Sequence, residues 1–133
     1  MTAANINMVI NNGTHYFHGD ETDSYSANYN HTKTYGIYCN SNLTVSGSGT
    51  FNVYGYDENT FGYGYTMYLV SGKTFNLASG SSAALNLYGS KQSSKQKNVS
   101  SAFYAETKAA VKISGGTLYC EGGYSPNNNN VGM

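Results

Sequence analysis

VKISGGTLYCEG, residues 111–122, reads apolar-x-apolar, then a Ser/Gly turn, then x-apolar-x-apolar-x-Gly. Its apolar period on either side of the turn is two, which is strand periodicity, because successive side chains of a strand point to opposite faces. The same pattern recurs upstream as FNLASGSSAALNLYG (75–89), LTVSGSGTFNVYG (43–55) and MVINNGTHYFHG (8–19). The closing glycines Gly19, Gly55, Gly89 and Gly122 stand 36, 34 and 33 residues apart. Self-similarity at such a period marks a solenoid, in which one repeat cannot bury its apolar face alone and stacking builds a continuous core.

Aligned unit on unit, Met8, Leu43, Phe75 and Val111 make one inward column, and Ile10, Val45, Leu77 and Ile113 make the next. After the turn come His15, Phe51, Leu85 and Leu118, then Phe17, Val53, Leu87 and Cys120. His15 is the polar exception and reads as a structural residue of a terminal coil. A third strand precedes the later pairs as YGIYC (35–39), YTMYL (65–69) and AFYA (102–105), with Ile37, Met67 and Phe103 inward, followed by Cys39, Leu69 and Ala105. The expected fold class is all-β, a single-stranded parallel β-helix (β-solenoid) of about four coils of 33–36 residues with three short strands per coil. Residues 1–133 then form one domain, with coils at approximately 1–36, 37–66, 67–102 and 103–133. A β-sandwich also supplies many short strands, but it does not explain column-by-column identity at a fixed period.

Composition narrows the function classes. The chain has seven lysines, no arginine and seven acids, for a formal net charge of zero. Without a basic stripe it is not expected to bind nucleic acid. No apolar run approaches the roughly 20 residues of a membrane-spanning helix, so no membrane insertion is expected. No signal-peptide pattern is visible, and Met1 is either an added start or a native cytoplasmic one. Cys39 and Cys120 fall in different columns two coils apart, too far to bridge, and read as two small buried hydrophobes. Glu106 and Glu121 lack a second carboxylate in a matching column, and the three histidines sit in the first coil and its loop, so no catalysis is expected.

Outward positions carry aromatic and amide columns. Tyr38, Tyr68 and Tyr104 form one; His18, Tyr54, Tyr88 and Glu121 a second; Tyr16, Asn52, Asn86 and Tyr119 a third. Stacked tyrosines can simply brace a sheet, by about 0.2–1 kcal/mol per cross-strand pair. They can also stack on sugar rings while Asn side chains bond to hydroxyls, and two rungs span roughly 10 Å, close to a disaccharide repeat. Asp20, Glu21 and Asp23 follow Gly19, and Asp57 and Glu58 follow Gly55, with Asn59 beside them. These acidic loops either pair with the lysines of SKQSSKQKN (90–98), or are simply solvated, or hold a calcium ion, a hard cation that takes oxygen ligands, through their carboxylates, Asn59 and loop carbonyls. No other cofactor is expected.

The units ISGGTL (113–118) and LTVSGSGTFNV (43–53), with a Gly-apolar strand such as GIY before them, resemble secreted bacterial carbohydrate-binding β-helix domains, of the kind also seen in adhesin and pectin-lyase-like solenoid repeats. The resemblance covers nearly the whole chain. It implies a right-handed parallel β-helix, an extracellular or cell-surface location, binding of polysaccharide or acidic sugars, and calcium held in loops. The chain departs from that pattern at Thr34-Tyr35-Gly36-Ile37 and Gly64-Tyr65-Thr66-Met67, where such domains carry an acidic corner residue, so a calcium role at that corner is not implied.

Two function classes follow. The first is a non-catalytic extracellular module that presents Tyr38, Tyr68, Tyr104, Tyr54, Tyr88, Asn52 and Asn86 to a polysaccharide or cell-surface glycan. The second is a structural protein that polymerises end to end, because an open solenoid exposes strand edges. Val131-Gly132-Met133 aligns with Tyr35-Gly36-Ile37, so the chain starts and ends at nearly the same angular position. It is then either a piece of a longer repeat protein or a subunit that self-associates with Met8, Ile10, Val131 and Met133 at its ends.

Overall fold

The computed structural model describes residues 4–19, 32–55, 62–89, 99–123 and 130–131. Twelve strands cover them: β1 (Asn5–Ile10), β2 (Thr14–His18), β3 (Thr32–Cys39), β4 (Asn42–Gly47), β5 (Thr50–Tyr54), β6 (Gly62–Leu69), β7 (Thr74–Leu77), β8 (Ala84–Tyr88), β9 (Val99–Ala105), β10 (Ala110–Ile113), β11 (Thr117–Glu121) and β12 (Asn130–Val131). Each sheet takes every third strand: β1-β4-β7-β10, β2-β5-β8-β11 and β3-β6-β9-β12. Every pairing is parallel. This all-β architecture of three parallel sheets, without a helix among the described residues, is consistent with a parallel β-solenoid.

Register follows the sequence columns in two sheets. His15, Phe51, Leu85 and Leu118 pair in turn, as do Phe17, Val53, Leu87 and Cys120. Ile37, Met67 and Phe103 pair across the third sheet, and so do Cys39, Leu69 and Ala105. Val131 pairs with Ser101 and thereby stands in the row of Tyr65 and Tyr35.

The first sheet requires a correction in its first strand. Met8 pairs with Val45, not Leu43, and Ile6 holds the Leu43 position. Ile10 lies opposite Gly47, not Val45. The cause is the corner after the strand. From the Met8, Val45, Leu77 and Ile113 row to the first residues of β2, β5, β8 and β11 the chain takes six, five, seven and four residues. A slip of two keeps the same face inward, so periodicity alone cannot reveal it. Gly47 makes the corner possible: its φ is +116°, and a Cβ there would lie 2.1 Å from the Ile10 carbonyl oxygen.

The inward faces meet in one apolar core. Val45, Leu77, Phe75, Met67, Leu69 and Leu87 are fully buried within it. Phe75 and Phe103 meet edge to face at 5.6 Å. Thr66, also fully buried, donates to the Tyr88 carbonyl at 2.7 Å and so ties the corner between the second and third sheets. Burial fades at both outer rows of the sheets. Ile6 and Phe17 are 43% and 41% exposed at one end, and Val111 and Ile113 are 40% and 50% exposed at the other.

Candidate functional site

The third sheet carries the largest aromatic cluster. Tyr38, Tyr68 and Tyr104 pair in register and stack, with ring centroids 5.7 and 5.2 Å apart. Two further rings join them. Tyr35 lies 5.1 Å from Tyr68, and Tyr65 lies 5.0 Å from Tyr68 and 5.1 Å from Tyr104. Strict alternation would place Tyr35 and Tyr65 inward beside Ile37 and Met67. The ladder breaks instead between Tyr35–Tyr65 and Ile37–Met67, and the Gly36, Thr66, Ala102 row turns the corner. Both Thr66 and Met67 are therefore buried while Tyr65 shares a face with Tyr68. The signal was present in the sequence as Tyr at i and i+3 around a small residue, Tyr35-Gly36 and Tyr65-Thr66.

Tyr68 is not a free outward ring. It is 5% exposed and donates its hydroxyl to Glu106 Oε1, while Glu106 Oε2 accepts from the Ser71 backbone N–H at 2.7 Å. That hydrogen bond, and then burial, hold the Tyr68 phenol well above its ordinary pKa. Burial chiefly, with the neighbouring Tyr38 and Glu106, raises Tyr35 as well. Glu106 thus has a partner on each carboxylate oxygen and ties Tyr68 to the turn at Ser71.

The second sheet carries the other two columns. His18 stacks on Tyr54 at 4.6 Å and 9°, and Tyr54 stacks on Tyr88 at 4.8 Å and 11°. Near-parallel rings at the rung spacing cover one another's faces and leave edges and hydroxyls outward. Asn86 Nδ2 donates to Asn52 Oδ1 at 2.9 Å, and Asn52 is buried. A second such amide ladder links Asn42 Nδ2 to Asn5 Oδ1 at 3.0 Å. Tyr54, Tyr88, Asn52 and Asn86 therefore each have a partner along the sheet. Tyr38 and Tyr104 remain exposed, and so do Tyr16 and Tyr119 at the two ends of the Asn52–Asn86 column.

Met8 and Ile10 line an open cleft of about 170 Å³ with Val9, Asn11, His15 and Phe51 at the outer row of the first two sheets. His15 Nε2 lies 3.1 Å from the Asn11 carbonyl. Val131 lies in the third sheet, so Met8 and Val131 do not share a column. Asp20, Glu21, Asp23, Asp57, Glu58, Asn59 and Met133 lie outside the described residues. Cys39 and Cys120 are free thiols in different sheets, each pushed up to about 11 by burial. Among the described residues no group of three or more His, Cys, Asp or Glu side chains could hold a metal. No protein-family model, curated protein or solved structure matches this chain.

Proposed function

We propose that the chain is a non-catalytic structural module, a right-handed parallel β-helix of about four coils that self-assembles end to end into filaments. The observation that carries this reading is the exposure of inward-facing apolar side chains at both outer rows: Ile6 and Phe17 at one, Val111 and Ile113 at the other. Among the described residues no strand pairs with the outer edges of β1, β2, β10 or β11, and such edges template the pairing of another chain. The right hand follows from the strong chiral preference of connections between parallel strands of one sheet. Ring stacking along the second sheet and the Asn ladder act here as internal bracing. Sedimentation velocity across a broad concentration series, with electron microscopy of the same samples, tests the reading. Growth into unbranched fibres of constant width is expected; a single monomeric species throughout overturns it.

A second reading rests on Tyr38 and Tyr104. Both stay exposed two rungs apart, roughly 10 Å. They would present ring faces and edges to a polysaccharide, with the module at the cell surface. Retention in a polysaccharide gel, lost in Tyr38→Ala with Tyr104→Ala, supports it. Unchanged retention removes it.

A further inference from the structure

The two outer rows differ from the rows between them in a paired way. Along the second sheet the amide column Asn52–Asn86 ends in Tyr16 on one side and Tyr119 on the other. The tyrosine column Tyr54–Tyr88 ends in His18 and Glu121. The inward column Val53–Leu87 ends in Phe17 and Cys120. In the first sheet Leu43–Phe75 ends in Ile6 and Val111, and Val45–Leu77 ends in Met8 and Ile113. These five columns thus each close on two residues that suit one another: two phenols, an imidazole and a carboxylate, and apolar pairs; the Phe51–Leu85 column, which closes on His15 and Leu118, does not add to the match. Such pairs directly opposite on neighbouring strands are favourable, whereas like charges there are not.

We infer that the β10–β11 edge of one copy accepts the β1–β2 edge of a second copy in the register that continues every column unbroken. The inference rests on the self-assembly reading above and adds the partner edge and the residue pairs. In that register Val111 meets Ile6, Ile113 meets Met8, Cys120 meets Phe17, Tyr119 meets Tyr16 and Glu121 meets His18. The contact is heterologous: the edge that is used up on one copy is not the edge offered by the next, so addition does not close. Glu121 already accepts from the Tyr119 hydroxyl at 2.9 Å, which links the carboxylate to the phenol of the neighbouring column on the same outer edge. A slip of one residue would turn the exposed apolar residues of both edges to the wrong face, and a slip of two, which keeps them inward, would part Glu121 from His18 and Tyr119 from Tyr16.

The native Cys120 makes the register testable with one substitution. Across one rung, about 4.8 Å, a cysteine at position 17 lies within disulfide reach of Cys120. A cysteine at position 15 lies two residues along the strand, about 8 Å away, and out of reach. Phe17→Cys oxidised with copper phenanthroline should give a ladder of disulfide-linked oligomers on a non-reducing gel. His15→Cys should give none, and adding Cys120→Ser to Phe17→Cys should abolish the ladder. Met8→Cys combined with Ile113→Cys, tested with Cys120→Ser, provides a second pair should Phe17→Cys impair folding. Equal cross-linking from positions 17 and 15 overturns the register while leaving self-assembly intact. Cross-linking that survives in a Phe17→Cys, Cys120→Ser chain that also carries Cys39→Ser shows like edges meeting, and overturns the heterologous contact. A wild-type chain that stays monomeric in sedimentation overturns the self-assembly reading itself.

Discussion

Replacing Phe75 with alanine removes one of the two buried phenylalanines of the core among the described residues, inside the Ile6–Leu43–Phe75–Val111 column. A Phe→Ala change in a packed interior costs about 3–5 kcal/mol from lost transfer energy and the cavity left behind. Loss of the edge-to-face contact with Phe103 at 5.6 Å accounts for about 0.5–1.5 kcal/mol of such a figure. Total stability of a natural domain is roughly 5–15 kcal/mol, so the variant should lose a large share of it. Val111→Ala in the same column supplies the internal comparison. Val111 is already 40% exposed, and two methyl groups at about 0.8 kcal/mol each when fully buried bring its cost to about 1 kcal/mol in the free molecule. Urea unfolding followed by far-UV circular dichroism at low protein concentration gives both values. A cost below about 1 kcal/mol for Phe75→Ala, or equal costs for the two variants at low concentration, would refute a core in which column position sets burial. Under the proposed end-to-end stacking, raising the protein concentration should lift the cost of Val111→Ala towards that of a buried valine, while that of Phe75→Ala stays put.

Three further outcomes follow from the geometry. Gly47→Ala combines a φ of +116° with a Cβ 2.1 Å from the Ile10 carbonyl oxygen, so it should lower Tm measurably, with hydrogen exchange rising first in β1 and β4. Lys108 has φ +68° where the preceding repeat has Gly72 at +72°, so Lys108→Gly should stabilise by about 1 kcal/mol in the same urea assay, and a loss would contradict the strained turn. The Tyr68 phenol, raised by Glu106 and burial, keeps its proton above pH 10.0, where a phenol of the unfolded chain has half lost it. Its contribution to stability is therefore complete below that pH and is lost as pH climbs towards the folded value. A difference absorbance titration against Tyr68→Phe should show the phenol ionising late in the wild type and earlier in Glu106→Gln; coincident curves would remove the Glu106 contact as the cause.

Much of the fold was readable because inward and outward residues alternate and the period is near 34 residues. The Phe51–Leu85–Leu118 and Ile37–Met67–Phe103 columns needed nothing beyond period two. The first strand misled because its corner is one residue longer than the next one, and a two-residue slip preserves which face is apolar. Tyr35 and Tyr65 were unreadable by alternation because the strand turns a corner at Gly36 and Thr66, where two successive residues face inward. The outward columns themselves were legible, but not their occupancy. Whether a tyrosine offers its face to a ligand depends on what stacks on it, and Tyr54 and Tyr88 cover each other while Tyr68 lies under its neighbours and bonds Glu106. Of the residue pairs proposed to meet, His18–Glu121 and Tyr16–Tyr119 already stood in the aligned columns, whereas Ile6–Val111 and Met8–Ile113 emerge only from the register of β1.

The most direct test of the account is the axial rise per subunit in filaments of the wild-type chain, measured by electron cryomicroscopy. Each copy contributes four strands to each sheet, and parallel strands lie about 4.8 Å apart, so in-register stacking gives a rise of about 19 Å per subunit with an unbroken strand repeat across every junction. Filaments whose repeat is twice that, with alternating subunit polarity, or in which the strand spacing is interrupted at the subunit boundary, would contradict it.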